Sequence, residues 1–142
     1  MVGTANGNLE IFRFEGEQLG HCKTNHGDAV IGLENWSGQI LSLAADASVC
    51  LTTLSERGET EDSKRIANFP GRTLVDYSLC KSSGRLWLAL DEGLVVWFLL
   101  DSTEVSGEYQ MTGRRIEEIR EAGPARLLVL TDRGSIKVLH SE

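Results

Sequence analysis

A two-strand phrase occurs four times in this chain and limits the fold more than any other feature. Its fullest copy runs from Gly84 to Asp101, two apolar stretches around Asp91-Glu92-Gly93. Val, Leu and Trp suit a pleated, half-buried surface, and Asp-x-Gly supplies the positive φ of a tight hairpin. The other copies are Val2–Phe12, Leu41–Leu51 and Leu127–Val138. The small turn residues Gly7, Ala47, Gly93 and Gly134 recur at intervals of roughly 40 to 46 residues. A unit of that size holds about four strands and cannot cover its apolar faces without neighbours.

Between these hairpins lie further strands. Leu9–Phe14, Gln18–Thr24, Ala29–Trp36, Lys64–Phe69, Thr73–Leu79 and Glu108–Met111 read as strands separated by Gly, Pro, Ser and acidic turns. Ile116–Ile119 reads as another, although Arg115–Arg120 also carries helix formers with an Ile pair three apart, so one helical turn competes there. Ser55–Ser63 is the longest weakly apolar stretch and is expected to be a surface loop. The sum is fourteen strands grouped three, four, four and three. The predicted fold is all-β, with β-propeller-like blades of four antiparallel strands in a partial ring: two full blades plus partial blades at each end. One domain, 1–142, is expected, with blade parts near 1–26, 27–70, 71–113 and 114–142.

The segment His26-Gly-Asp-Ala-Val30 and the Asp-x-Gly-x-φ-x-φ runs at Asp91–Trp97 and Asp132–Val138 (φ being an apolar residue) resemble a WD-repeat β-propeller. The terminal Trp-Asp pair of that family is replaced by Phe12-Arg13, Thr52-Thr53, Phe98-Leu99 and Leu139-His140. The resemblance therefore implies a degenerate propeller, or a relative outside the family. It also implies that the His, Ser/Thr, Trp and Asp network which stiffens regular blades is incomplete here.

Composition narrows the function. Of 142 residues, 41% are hydrophobic and 25% charged, enough to bury a core. The net charge of −7, from 14 basic and 21 acidic residues, repels phosphate, so no nucleic-acid partner is expected. No apolar run approaches the roughly 20 residues that cross a bilayer. Three cysteines, Cys22, Cys50 and Cys80, form no paired spacing; reduced thiols and an intracellular protein, cytoplasmic or nuclear, are expected.

Residues of chemical interest form no known constellation. His21, Cys22, His26 and Asp28 lack the spacing of a zinc site, so no metal and no cofactor is expected. Ser37, His26 and Asp46 can be assembled on paper as a hydrolytic set, but no Gly-x-Ser-x-Gly elbow or phosphate loop supports one. The acidic pairs Asp91/Glu92 and Glu117/Glu118, and the run Glu59/Glu61/Asp62, are expected to be solvated. Trp87 and Trp97 sit in apolar runs and are expected in the core, Trp97 between blades. Trp36, beside a turn, is the aromatic expected at the surface.

The predicted function is a non-catalytic protein-interaction scaffold: a segment of a WD-repeat-like propeller that completes its ring with further blades or another chain. The alternative is an enzyme or ligand-binding propeller whose site needs missing blades. The predicted partner-binding residues are Trp36, Arg57, Glu59, Glu61 and Asp62. The expected partners are proteins, including self-association or a second propeller chain, with neither membrane nor nucleic acid involved.

Overall fold

The computed structural model describes residues 2–3, 5–12, 18–22, 26–55, 60–102, 104–123 and 125–140; at 2, 9–12, 18–22, 60 and 61 the description covers the backbone. Among these residues the regular structure is almost wholly β, in four antiparallel meanders. No helix among them is long and apolar enough to cross a membrane.

The packing divides the chain into two compact units, Met1–Gly71 and Arg72–Glu142. The first unit holds β1 (Val2–Gly3), β2 (Leu9–Phe12) and β3 (Gln18–Cys22), paired in that order. It also holds β4 (Val30–Trp36), β5 (Gln39–Ala44), β6 (Val49–Leu54) and β7 (Thr60–Ala67), a four-stranded sheet. The second unit repeats the plan with β8 (Leu74–Cys80), β9 (Arg85–Leu90), β10 (Leu94–Leu99) and β11 (Gly107–Gln110). A three-stranded sheet follows: β12 (Ile116–Glu121), β13 (Arg126–Thr131) and β14 (Ile136–His140).

The central strands explain themselves by composition. Leu41, Leu43, Val49 and Cys50 are fully buried, as are all of Leu86–Leu90, so these runs are apolar on both faces. In the second unit, Trp87, Ala89 and Val95 of one sheet pack against Ile116, Ile119, Leu127 and Val129 of the next. That sheet-on-sheet contact is the unit's core.

The hairpin markers share one backbone state. Gly7, Ala47, Gly93 and Gly134 have φ of 84, 64, 75 and 71°. Ala47 holds this left-handed conformation without being glycine, at a cost of about 1 kcal/mol. The inner strands share a second device. Each breaks register at its start, between Val30 and Gly32, Leu74 and Asp76, and Ile116 and Glu118. The extra residue turns the strand, so that Ile116 and Ile119, three apart, both point into the core. This settles the one helical alternative: the Ile spacing that imitates a helix is that of a bulged strand.

The expected loop Ser55–Ser63 is shorter than its composition suggests. Its second half belongs to β7, where Asp62 pairs with Thr53, Ser63 with Thr52 and Thr60 with Leu54. Pairing with β6 supplies the backbone hydrogen bonds that polar side chains there do not oppose, because edge-strand preference is set by neighbours. Strand β7 accordingly starts four residues before Lys64, the start expected from the sequence.

Candidate functional site

A buried polar chain lies where the inner strand of the first unit's full sheet begins. His26 is enclosed, with Nδ1 2.6 Å from Ser48 Oγ and Nε2 2.8 Å from Ser42 Oγ. Asp46 Oδ1 accepts the Ser48 hydroxyl at 2.5 Å and the Ser48 N–H at 3.1 Å. Burial drives the His26 pKa below its usual value; Asp46 opposes this and Arg65 reinforces it. The Ser42 backbone also bonds the ring and, like Asp46, opposes the lowering. Ser48 gives its hydroxyl proton to Asp46, so toward the ring its oxygen is an acceptor. Burial works against the Asp46 carboxylate, but the Ser48 hydroxyl and amide and the Gly27 amide outweigh it and hold its pKa below normal.

Two of the three residues assembled on paper thus do meet, through a different serine. Ser37 lies in the exposed β4–β5 turn, with φ 51°. Ser42 and Ser48 are fully buried, so no substrate carbonyl reaches either oxygen. A nucleophile must be approached by its substrate, and this chain of bonds is closed to one. It ties the loop before β4 to the β5–β6 hairpin. The network expected to be incomplete is present at its His, Ser and Asp; the position of the family's Trp is Thr52, which bonds Ser63 at 3.1 Å.

The second unit makes the same tie with other side chains. Asp91 Oδ1 accepts the Thr73 amide at 3.1 Å, and Arg72 Nε lies 3.2 Å from that oxygen. Asp132 Oδ1 accepts the Arg115 amide at 3.3 Å. The expectation that Asp91/Glu92 is solvated holds for the exposed Glu92, 3.4 Å from Arg72, and is corrected for Asp91, which fastens the entry to β8. The sequence signal was available for Asp91 and Asp132, which both stand two residues before the turn glycine; Asp46 stands one residue later in its hairpin, where Ala45 holds the equivalent place.

Other groups gather at the far end of β8. A cavity of about 590 Å³ is lined by Ser78, Cys80, Ser82, Ser83, Arg85 and Glu121, among others. Hydrogen bonds from Ser82 and Ser83 lower the Cys80 thiol pKa, the Ser82 hydroxyl lying 3.3 Å away. Arg85 pairs with Glu121 at 3.3 Å, and Glu121 also accepts the Trp87 indole N–H at 3.2 Å. Neither Cys50 nor Cys80 is in a disulfide, and Cys50 Sγ lies 3.8 Å from His26 Nδ1.

The predicted partner-binding residues are dispersed. Trp36 ends β4 and is half-buried, so its expected surface position is only partial. Asp62 is exposed on β7, and Glu61 neighbours it in the backbone. Arg57 and Glu59 lie outside the described residues, as do the side chains of His21 and Cys22. Trp87 is fully buried, whereas Trp97 is half-buried under the Arg85 guanidinium, 5.5 Å from its ring. The expected core position thus holds fully for Trp87 and in part for Trp97, which packs against the same cluster with its indole over the Gly107 backbone.

No protein-family model matches this sequence, and no curated protein matches it. Solved structures do match in shape. The WD40 domain of Neurospora crassa Pan2 superposes with a TM-score of 0.69 at 15% identity, over 98% of this chain and 42% of that one. The β-propeller domain of Myceliophteria thermophila Cps50 (Swd1) gives 0.78 at 11% identity, over 97% and 48%. The computationally designed Ika4 protein gives 0.73 at 12% identity, over 97% and 82%. The chain thus spans less than half the length of the two natural propeller chains. With its four antiparallel meanders and repeated hairpin ties, the chain has the fold of a partial WD-repeat-like β-propeller.

Proposed function

We propose that this chain is a non-catalytic protein-interaction scaffold, a propeller segment that completes its ring with further blades or another chain. The observation that carries this reading is the fold: sheets of three, four, four and three strands, each an incomplete shelter for its own apolar faces. The coverage of 42% and 48% of two natural propeller chains supports it, because each of those chains is more than twice as long. So does the enclosure of His26, Ser42 and Ser48, which commits this His–Ser–Asp set to structure. Trp36, Arg57, Glu59, Glu61 and Asp62 are the proposed contact residues, with the half-buried Trp36 as the anchor.

Light scattering on the purified chain tests the proposal. A mass well above the 15.6 kDa of one chain, or solubility gained only with a co-expressed partner, is expected. A strictly monomeric chain that unfolds in a single sharp transition refutes it.

A further inference from the structure

The second unit shows one sheet face filled and its repeat-equivalent face bare. On β8–β11, register places Ser78, Trp87 and Trp97 side by side in one row and Asp76, Ala89 and Val95 in the next. Those rows seat β12. Ile116 and Ile119 enter between them. The Ile119 amide donates to Asp76 Oδ2 at 2.8 Å, and the Glu121 amide to Ser78 Oγ at 3.0 Å.

Superimposing the hairpin aspartates, Asp91 on Asp132, carries each row to the last sheet. Ser78, Trp87 and Trp97 map to Arg120, Leu128 and Val138. Asp76, Ala89 and Val95 map to Glu118, Leu130 and Ile136. Observed pairing confirms both rows: Arg120 faces Leu128 and Leu128 faces Val138, while Glu118 faces Leu130 and Leu130 faces Ile136. This surface is open. Ile136 is 66% exposed, Val138 51% and Leu128 37%. A groove of about 140 Å³ runs along it between Glu118, Arg120, Leu128, Leu130 and Ile136.

We infer that this face is a seat for the inner strand of a further blade. The inference rests on the ring-completion reading above and names its chemistry. The filled seat states what fits: two branched aliphatic residues three apart on a bulged strand, with an acidic residue two positions after the second, as in Ile116, Ile119 and Glu121. The aliphatic pair covers Leu128, Leu130, Ile136 and Val138, and a backbone N–H of the strand reaches Glu118, as Ile119 reaches Asp76. Arg126, in the place of Arg85, takes the acidic side chain, as Arg85 takes that of Glu121. In the unoccupied seat Arg120 Nε lies 2.6 Å from Glu118 Oε1. A second copy of the chain offers its β12 only by unseating it from β8.

A peptide copying residues 114–122 is the probe, added to the intact chain while methyl NMR shifts are followed. Saturable shifts at Leu128, Leu130, Ile136 and Val138 are expected. Binding should weaken about tenfold or more when the peptide carries Ile119→Asp, or when the protein carries Ile136→Asp. Ile136 is exposed, so that variant keeps its fold, checked by circular dichroism. Absent shifts at millimolar peptide, or equal shifts with the Ile119→Asp peptide, overturn the inference. So does a peptide-free dimer that Ile136→Asp dissolves, which would give the face to a second copy. A monomeric chain that still takes the peptide defeats the ring-completion reading and keeps the seat; an associating chain that ignores it defeats the seat alone.

Discussion

Replacing Trp87 with alanine removes the largest fully buried side chain of the second unit. Its indole fills the space between β9 and β12, among Ala89, Val95, Ile116, Ile119, Leu127 and Val129. Loss of that volume costs about 3–5 kcal/mol, from lost transfer energy plus the cavity left behind. The upper end is expected here, since the change also strips Glu121 of the indole donor at 3.2 Å and leaves it only Arg85 among these partners. Trp97, 6.0 Å away centre to centre, is half-buried, and burial energy in proportion gives only about 1–2 kcal/mol for Trp97→Ala. Urea unfolding followed by far-ultraviolet circular dichroism reads both variants. With a slope of about 1–3 kcal/mol per molar urea, the Trp87→Ala midpoint should fall by at least about 1 M, and that of Trp97→Ala by markedly less. A Trp87→Ala loss under about 1 kcal/mol, or one no greater than that of Trp97→Ala, refutes the packing assigned to this core.

Three further outcomes follow from the ties between loops and hairpins. His26 is neutral when folded and takes a proton near pH 6.5 when unfolded, so its contribution is intact above about pH 6.5 and is lost as pH falls from there toward its lower folded pKa. Asp46, also lowered, contributes above about pH 3.8 and loses this on further acidification; urea midpoints across pH 7 to 5 should fall less steeply in His26→Asn than in the parent. Gly93→Ala should cost about 2–3 kcal/mol, because its φ is 75° and a methyl there overlaps the Met111 carbonyl oxygen. Gly134→Ala, at the same turn position with open space around it, should cost only about 1 kcal/mol; equal losses in thermal melts would contradict the crowding. Asp76→Ala leaves the buried Ile119 amide without its acceptor and should cost about 1–3 kcal/mol, with Asp76→Asn recovering part of it in the same melts.

Particular residues show how far the sequence could be read. The four hairpin markers were visible because positive φ selects small residues, and all four have it, Ala47 included. Thr60–Ser63 was misread as loop because an edge strand needs no apolar alternation when β6 supplies its pairing. The His26 site was half legible. His26 and Asp46 were paired on paper from the sequence, but Ser48 as the link, rather than Ser37, depends on which hydroxyl the hairpin folds beneath the ring. Trp97 looked as deeply placed as Trp87, since both lie in apolar runs. Register decided otherwise, setting Trp97 opposite Gly107 and Trp87 opposite Ser78.

What the chain's residues determined by themselves was the repeat: strand, tight turn, strand, at a period that calls for blades. Local rules suffice there, because turn φ preference and β-propensity act within a few residues. Only the tertiary structure decided which faces are closed and which stay open. Leu128, Leu130, Ile136 and Val138 are as apolar a set as many that are buried, and no local feature marks them as bare. Burial is a property of what packs across a face, and in the second unit β12 covers one such face while its repeat-equivalent lies open.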